Sequence, residues 1–173
     1  MMYKERPRIP IQSTSIDKWL DWISYFLLFF LIAYPIYFYS SLPDTIPAHM
    51  NIEGQVDRYG SKETIWVMPA VGLFLFIMLT ILLRFPHIYN YPVKVTQQNA
   101  GRIYKSGIRF IRIVRLWMVI VLIIVIISFI RMATEINKNS DTWLLPVIML
   151  LALGMLVFSL VRFFNIKKQD NIN

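Results

Sequence analysis

The chain is 173 residues long, 57% hydrophobic and 16% charged, with 18 Lys and Arg against 10 Asp and Glu for a net charge of +8. Soluble domains run to about 45–50% apolar and about 25% charged residues, so the chain departs from that class on both counts and is expected to be a membrane protein. It holds no cysteine, which excludes a disulfide framework, a thiolate metal site and a cysteine nucleophile and leaves chemistry to oxygen and imidazole groups.

From the N-terminus, Thr14 and Asp17 stand at the spacing of a capping box and precede the first long apolar run, residues 19–41, which only Asp21 and Pro35 interrupt. A helix rises about 1.5 Å per residue, so about 20 residues cross about 30 Å of hydrocarbon. The run suffices, and it outlasts the roughly 4–8 residues of a strand. It is longer than a signal-peptide core and no small-residue cleavage pattern follows it, so it is expected to stay as an anchor. Pro35 is expected to kink it. Asp21, within reach of Lys18, is expected to sit at the interface. Further runs at 65–83, 113–130 and 143–164 have similar lengths. The expected fold is all-α: one membrane domain, 1–173, with four transmembrane helices, a loop 42–64 on one side and a basic connection 84–112 on the other. Pro69 and Pro146 fall in first turns, where a missing N–H costs little. Gly72 and Gly154 allow close helix approach without forming a GxxxG pair.

Basic residues set the expected orientation. The N-terminal segment, the 84–112 connection with the start of the third run, and the C-terminus hold fourteen of the eighteen Lys and Arg. The other two connections hold Arg58, Lys62, Arg131 and Lys138. The positive-inside rule then puts both termini and the basic connection in the cytoplasm and the 42–64 loop outside.

That loop has hairpin character. Pro43-Asp44 is turn chemistry and Pro47 stiffens the approach. A two-residue turn at Glu53-Gly54 would strain Glu53, whereas a three-residue turn, Ile52-Glu53-Gly54, closed by Gly54 in the left-handed region, fits. It pairs Asn51 with Gln55, Met50 with Val56 and His49 with Asp57, and it collects His49, Asn51, Gln55 and Asp57 on one face. The His–Asp pair reads as a hydrogen bond fixing the hairpin, as part of a divalent-metal site with Asp44 or Glu53, as an acid–base pair, or as a surface for an external peptide or envelope protein. Whether a metal binds is open, no nucleophile accompanies the pair, and no cofactor is expected. His87 falls across the hydrocarbon from His49, which argues against a haem held by both.

The stretch Leu42-Pro43-Asp44-Thr45-Ile46-Pro47-Ala48-His49, then Gly54, Asp57, Ser61 and Lys62 directly before an apolar run, resembles an uncharacterised bacterial membrane module. This domain of unknown function occurs alone and at the N-terminal end of SdpI-type toxin-immunity membrane proteins. The resemblance covers about residues 20–83 and implies a bacterial inner-membrane location. In the SdpI type it also implies immunity to a secreted peptide toxin and signalling to a cytoplasmic repressor. The longer immunity proteins have six spans and this chain has four. Candidate ligand- or partner-binding residues are Asp44, His49, Glu53, Gly54, Asp57 and Lys62.

In the basic connection, Arg102, Lys105, Arg109 and Arg112 recur at three- and four-residue spacing, with Ile103, Gly107, Phe110 and Val114 on the other face. The third helix is expected to start there, Thr96 capping it; from Arg102 to Ile130 it would measure roughly 44 Å. Its four cations are expected to meet anionic lipid at about 1 kcal/mol each. No stacking platform accompanies them, so nucleic acid is not an expected partner. Residues 85–96, with Tyr89 and Tyr91, read as an interfacial re-entry loop or as a contact for a cytoplasmic regulator. The expected function is that of a non-enzymatic integral membrane protein of SdpI-related type, serving immunity or envelope sensing. The alternatives are a metal-dependent membrane enzyme built on His49 and Asp57 and a structural subunit of a larger membrane complex.

Overall fold

The computed structural model describes residues 6–51, 53–134 and 143–170. Thr14 starts the first helix as its spacing predicts. Its N–H donates to Asp17 Oδ2 at 2.8 Å while its hydroxyl accepts from the Asp17 N–H at 3.4 Å, which satisfies donors that a helix start leaves open. Helix α1 (Ser15–Phe38) continues through Pro35 and closes in a 3-10 turn, Tyr39–Ser41. Strands β1 (Thr45–Met50) and β2 (Val56–Ser61) form an antiparallel two-stranded sheet. A 3-10 segment, Lys62–Trp66, leads into α2 (Val67–Leu82), with Pro69 in its first turn. After a short 3-10 turn, Pro86–Ile88, come α3 (Ala100–Ala133) and α4 (Leu144–Asp170). Thr96 contributes to the α3 start through a reciprocal pair with the N-cap Asn99: each backbone N–H donates to the other's side-chain oxygen, at 2.7 and 3.4 Å.

Among the described residues four helices are thus long and apolar enough to cross a membrane. The third and fourth outrun their apolar cores, α3 reaching 34 residues and α4 27. The connection holding Glu135, Lys138 and Asp141 lies outside the described residues.

The architecture is arranged on α3, against which α1, α2, α4 and β1 all pack. Its buried positions Tyr104, Ile108, Arg112, Arg115, Val119, Ile123, Ile126 and Ile130 recur at three- and four-residue steps, the stripe that lets one helix serve neighbours along its whole length. Leu31 from α1, Phe76 from α2 and Ile46 from β1 complete the main core. Gly72 permits a close approach of helices: a Cβ there would lie 2.6 Å from Leu31 Cδ2 and 3.0 Å from Leu122 Cδ1. Gly154 is looser, 3.7 Å from the Trp117 ring by the same measure. Outward faces are strongly apolar, with Trp22, Phe26, Phe29, Phe74, Leu150 and Phe164 all exposed. Water would penalise such a surface and hydrocarbon does not, which is why helices with internally satisfied backbones can leave it uncovered.

A smaller core lies at the end away from the hairpin. Ala100, Ile103 and Tyr104 pack against Ile9 and Ile11 of the N-terminal segment and Tyr91, Val93 and Val95 of the 83–99 connection. The Tyr104 hydroxyl donates to the Pro7 carbonyl at 3.0 Å, and Arg6 donates to the carbonyls of His87 and Tyr89. The connection that the sequence left as an interfacial loop or a partner contact is therefore packed against the chain's own N-terminal segment.

Candidate functional site

The hairpin turn forms as its residue types dictate. Gly54 takes φ 78°, a conformation a side chain disfavours. The Asn51 N–H donates to the Gln55 carbonyl at 2.9 Å, and the Asn51 side chain accepts from the N–H groups of Glu53 and Gln55 at 3.0 and 2.9 Å. Ile52, the first residue of the expected turn, lies outside the described residues. Met50 pairs with Val56 as predicted, but His49 stands opposite Arg58 rather than Asp57, because the register shifts on both sides of His49. Such a bulge re-aims side chains locally. The His49 and Asp57 side chains still meet, with Nδ1 and Oδ1 2.6 Å apart, and both remain largely exposed.

Asp44 and Lys62 join the two strand ends at the other end of the hairpin. Lys62 donates through Nζ to Asp44 Oδ1 and through its backbone N–H to the Asp44 carbonyl, both at 3.0 Å, and its ammonium lies 5.7 Å from the Tyr39 ring centroid. Ile46, 1% exposed, seats the sheet in the core on α3. The candidate residues thus divide. Asp44 and Lys62 clamp the base, Gly54 shapes the turn, Glu53 is exposed beside it, and His49 with Asp57 presents the polar face. Among the described residues no group of three His, Asp or Glu side chains gathers as metal ligands would.

The densest charge cluster lies at the opposite end of the helices. Arg109 Nε donates to Asp17 Oδ1 at 2.9 Å and Arg112 Nε to Asp21 Oδ1 at 3.0 Å, while Arg115 binds Asp21 and donates to Thr80 Oγ1 at 2.9 Å. Arg115 is fully buried, its guanidinium 4.7 Å from the Phe76 ring centroid and 5.6 Å from that of Tyr25. Arg109 and Arg112, expected among lipid headgroups, are instead held by carboxylates of α1; Arg102 and Lys105 are exposed. Asp21 likewise pairs across to α3 rather than with Lys18. Sequence reasoning did not single out Asp17 as an ion-pair partner, Arg115 or Thr80. The available signal was an Asp17/Asp21 pair four residues apart facing a run of Arg at similar steps, which places complementary charges on two helix faces.

Fold and sites together define a multi-pass membrane protein with a hairpin seated on its helices. Residues 26–81, from mid-α1 through the hairpin to the end of α2, match the family model described as a domain of unknown function, DUF1648. This agrees with the uncharacterised membrane module that the loop residues resemble. The chain is also similar to an uncharacterized protein of Archaeoglobus fulgidus, 32% identical over 102 residues covering 54% of this chain and 55% of the relative. It therefore spans about half the length of that relative. No solved structure matches.

Proposed function

We propose that the protein is a non-enzymatic, SdpI-related component of the cell (inner) membrane that serves immunity to a secreted peptide toxin or envelope sensing. In this reading both termini are cytoplasmic and the hairpin faces outward, as the distribution of Lys and Arg favours. The hairpin's polar face receives the external peptide or envelope protein. The basic segment at the other end meets anionic lipid and a cytoplasmic regulator.

The observation that carries the reading is the seating of the hairpin. His49 and Asp57 are exposed, yet the strand that bears His49 is anchored through buried Ile46 on α3. That helix, about 51 Å long over its 34 residues, also carries the Arg109, Arg112 and Arg115 cluster. A ligand that shifts the hairpin would bear directly on a helix reaching the other side.

Complementation tests this. A deletion strain is challenged with secreted peptide toxins and envelope stress while carrying either the wild type or His49→Ala/Asp57→Ala. Wild type is expected to restore resistance and the variant to lose it at normal membrane abundance. A deletion strain as resistant as its parent across a broad panel would defeat the proposal.

A further inference from the structure

At the end away from the hairpin, the N-terminal segment, α1, the end of α2 and α3 enclose a cavity of about 290 Å³. That is near the lower end of ligand sites, which run from roughly 300 to 1,000 Å³. Four cations line it, Arg84, Lys105, Arg112 and Arg115, against two carboxylates, Asp17 and Asp21. Both carboxylates are already engaged, Asp17 by Arg109 at 2.9 Å and Asp21 by Arg112 at 3.0 Å and by Arg115. Among the described residues neither Arg84 nor Lys105 pairs with a carboxylate, and the buried Nε of Arg115 has no acceptor. Arg112 Nη1 comes no nearer to Asp17 Oδ1 than 3.9 Å. The wall therefore carries an excess of positive charge with donors to spare, Arg112 and Arg115 buried in it and Arg84 and Lys105 exposed. Such surroundings strengthen charge-assisted hydrogen bonds to an anion.

The geometry points to a phosphate-binding site in this cavity, with Arg84 and Lys105 as its principal ligands and Arg112 as a further donor. Guanidinium forks match the tetrahedral oxygens of phosphate, and an ammonium supplies a point charge beside them. Two sources offer the same chemistry: the headgroup of an anionic phospholipid or a free phosphate from water. The site does not rest on the hairpin reading. That reading fails or holds through the His49 and Asp57 pair and resistance, this one through phosphate binding by the isolated chain.

The experiment uses the full chain, purified free of phospholipid in a neutral maltoside detergent. Inorganic phosphate is one probe; nanodiscs of phosphatidylglycerol or of phosphatidylcholine are the other. The readout is saturable stabilisation against heat. Wild type is expected to respond to inorganic phosphate, or to phosphatidylglycerol over phosphatidylcholine, and Arg84→Gln/Lys105→Gln to bind at least about tenfold more weakly, or about 1.4 kcal/mol. Lys94→Gln, which removes an exposed cation outside the cavity, is expected to bind as wild type does. A response to phosphatidylglycerol alone assigns a lipid headgroup, and one to inorganic phosphate assigns a site open to the free anion. No saturable response in either arm, or an equal loss in Lys94→Gln, overturns the site. If the double variant does not fold, the single variants at Arg84 and Lys105 carry the same comparison.

Discussion

Arg115 shows how single residues here depend on their partners. Its side chain is 1% exposed, and Asp21 is its carboxylate partner. Removing one member of a buried ion pair leaves an uncompensated charge and costs about 3–5 kcal/mol, while replacing both by apolar groups is often nearly neutral. Asp21→Ala is therefore expected to destabilise the detergent-solubilised protein by about that amount in thermal unfolding, and Asp21→Leu combined with Arg115→Met to recover part of it. Gly107 gives a steric counterpart. A Cβ there would lie 2.5 Å from the Tyr91 hydroxyl and 3.0 Å from the Tyr89 ring, and both hydroxyls are committed, Tyr91 to the Pro86 carbonyl and Tyr89 to that of Leu82. Gly107→Ala is expected to cost about 1–3 kcal/mol in the same measurement. Burial pushes the Tyr89 phenol up to about 12 and raises that of Tyr91 as well. A raised folded-state value means the contribution is full below the ordinary tyrosine value near 10 and is lost as pH climbs towards 12. The part of the tyrosinate absorbance that Tyr89→Phe/Tyr91→Phe removes should therefore rise together with unfolding in that window. The sequence made Asp21 conspicuous as a charge inside an apolar run, but not its partner. Asp21 and Arg115 are 94 residues apart, and their meeting depends on how two helices are rotated against each other.

Among the elements, the hairpin was the most legible and still held a surprise. Asn51, Gly54 and Gln55 prescribe a turn through local hydrogen bonding and one positive φ, and those interactions are present. The bulged register beside His49 was not readable, because one added residue per strand leaves the composition of each face nearly unchanged. Gly54→Ala is expected to destabilise the turn by about 1 kcal/mol, visible as faster amide hydrogen exchange across residues 45–61 without loss in the helices. Ile46→Ala removes the side chain that seats the sheet on α3 and is expected to cost about 2–4 kcal/mol, with exchange quickening in both the hairpin and the adjoining end of α3. Helix existence was plain from the length of the apolar runs. The N-terminal turns of α3 were legible too, from the three- and four-residue spacing of Arg102, Lys105, Arg109 and Arg112; the extra turns of α4 were not, since polar residues continue it past the stretch that hydropathy marks.

For the molecule as a whole, the absence of cysteine makes orientation directly measurable. Tyr59→Cys in the hairpin and Lys94→Cys in the connection each introduce a lone thiol at an exposed position. In intact cells a membrane-impermeant maleimide is expected to label the first and to reach the second only after permeabilisation; the reverse pattern would invert the proposed topology. Composition and run length alone determined that this is a multi-pass membrane protein with four spans and a structured loop between the first two. Those features follow from the cost of placing apolar surface in water and unpaired backbone in hydrocarbon, and both are written residue by residue. Only the tertiary structure decided that α3 is the common partner of the other helices and the sheet. It also decided that two of the four cations expected to spread among lipids, Arg109 and Arg112, are held against Asp17 and Asp21 beside a cavity. Which face of one helix meets which face of another is set by packing among all of them together, and no local pattern encodes it.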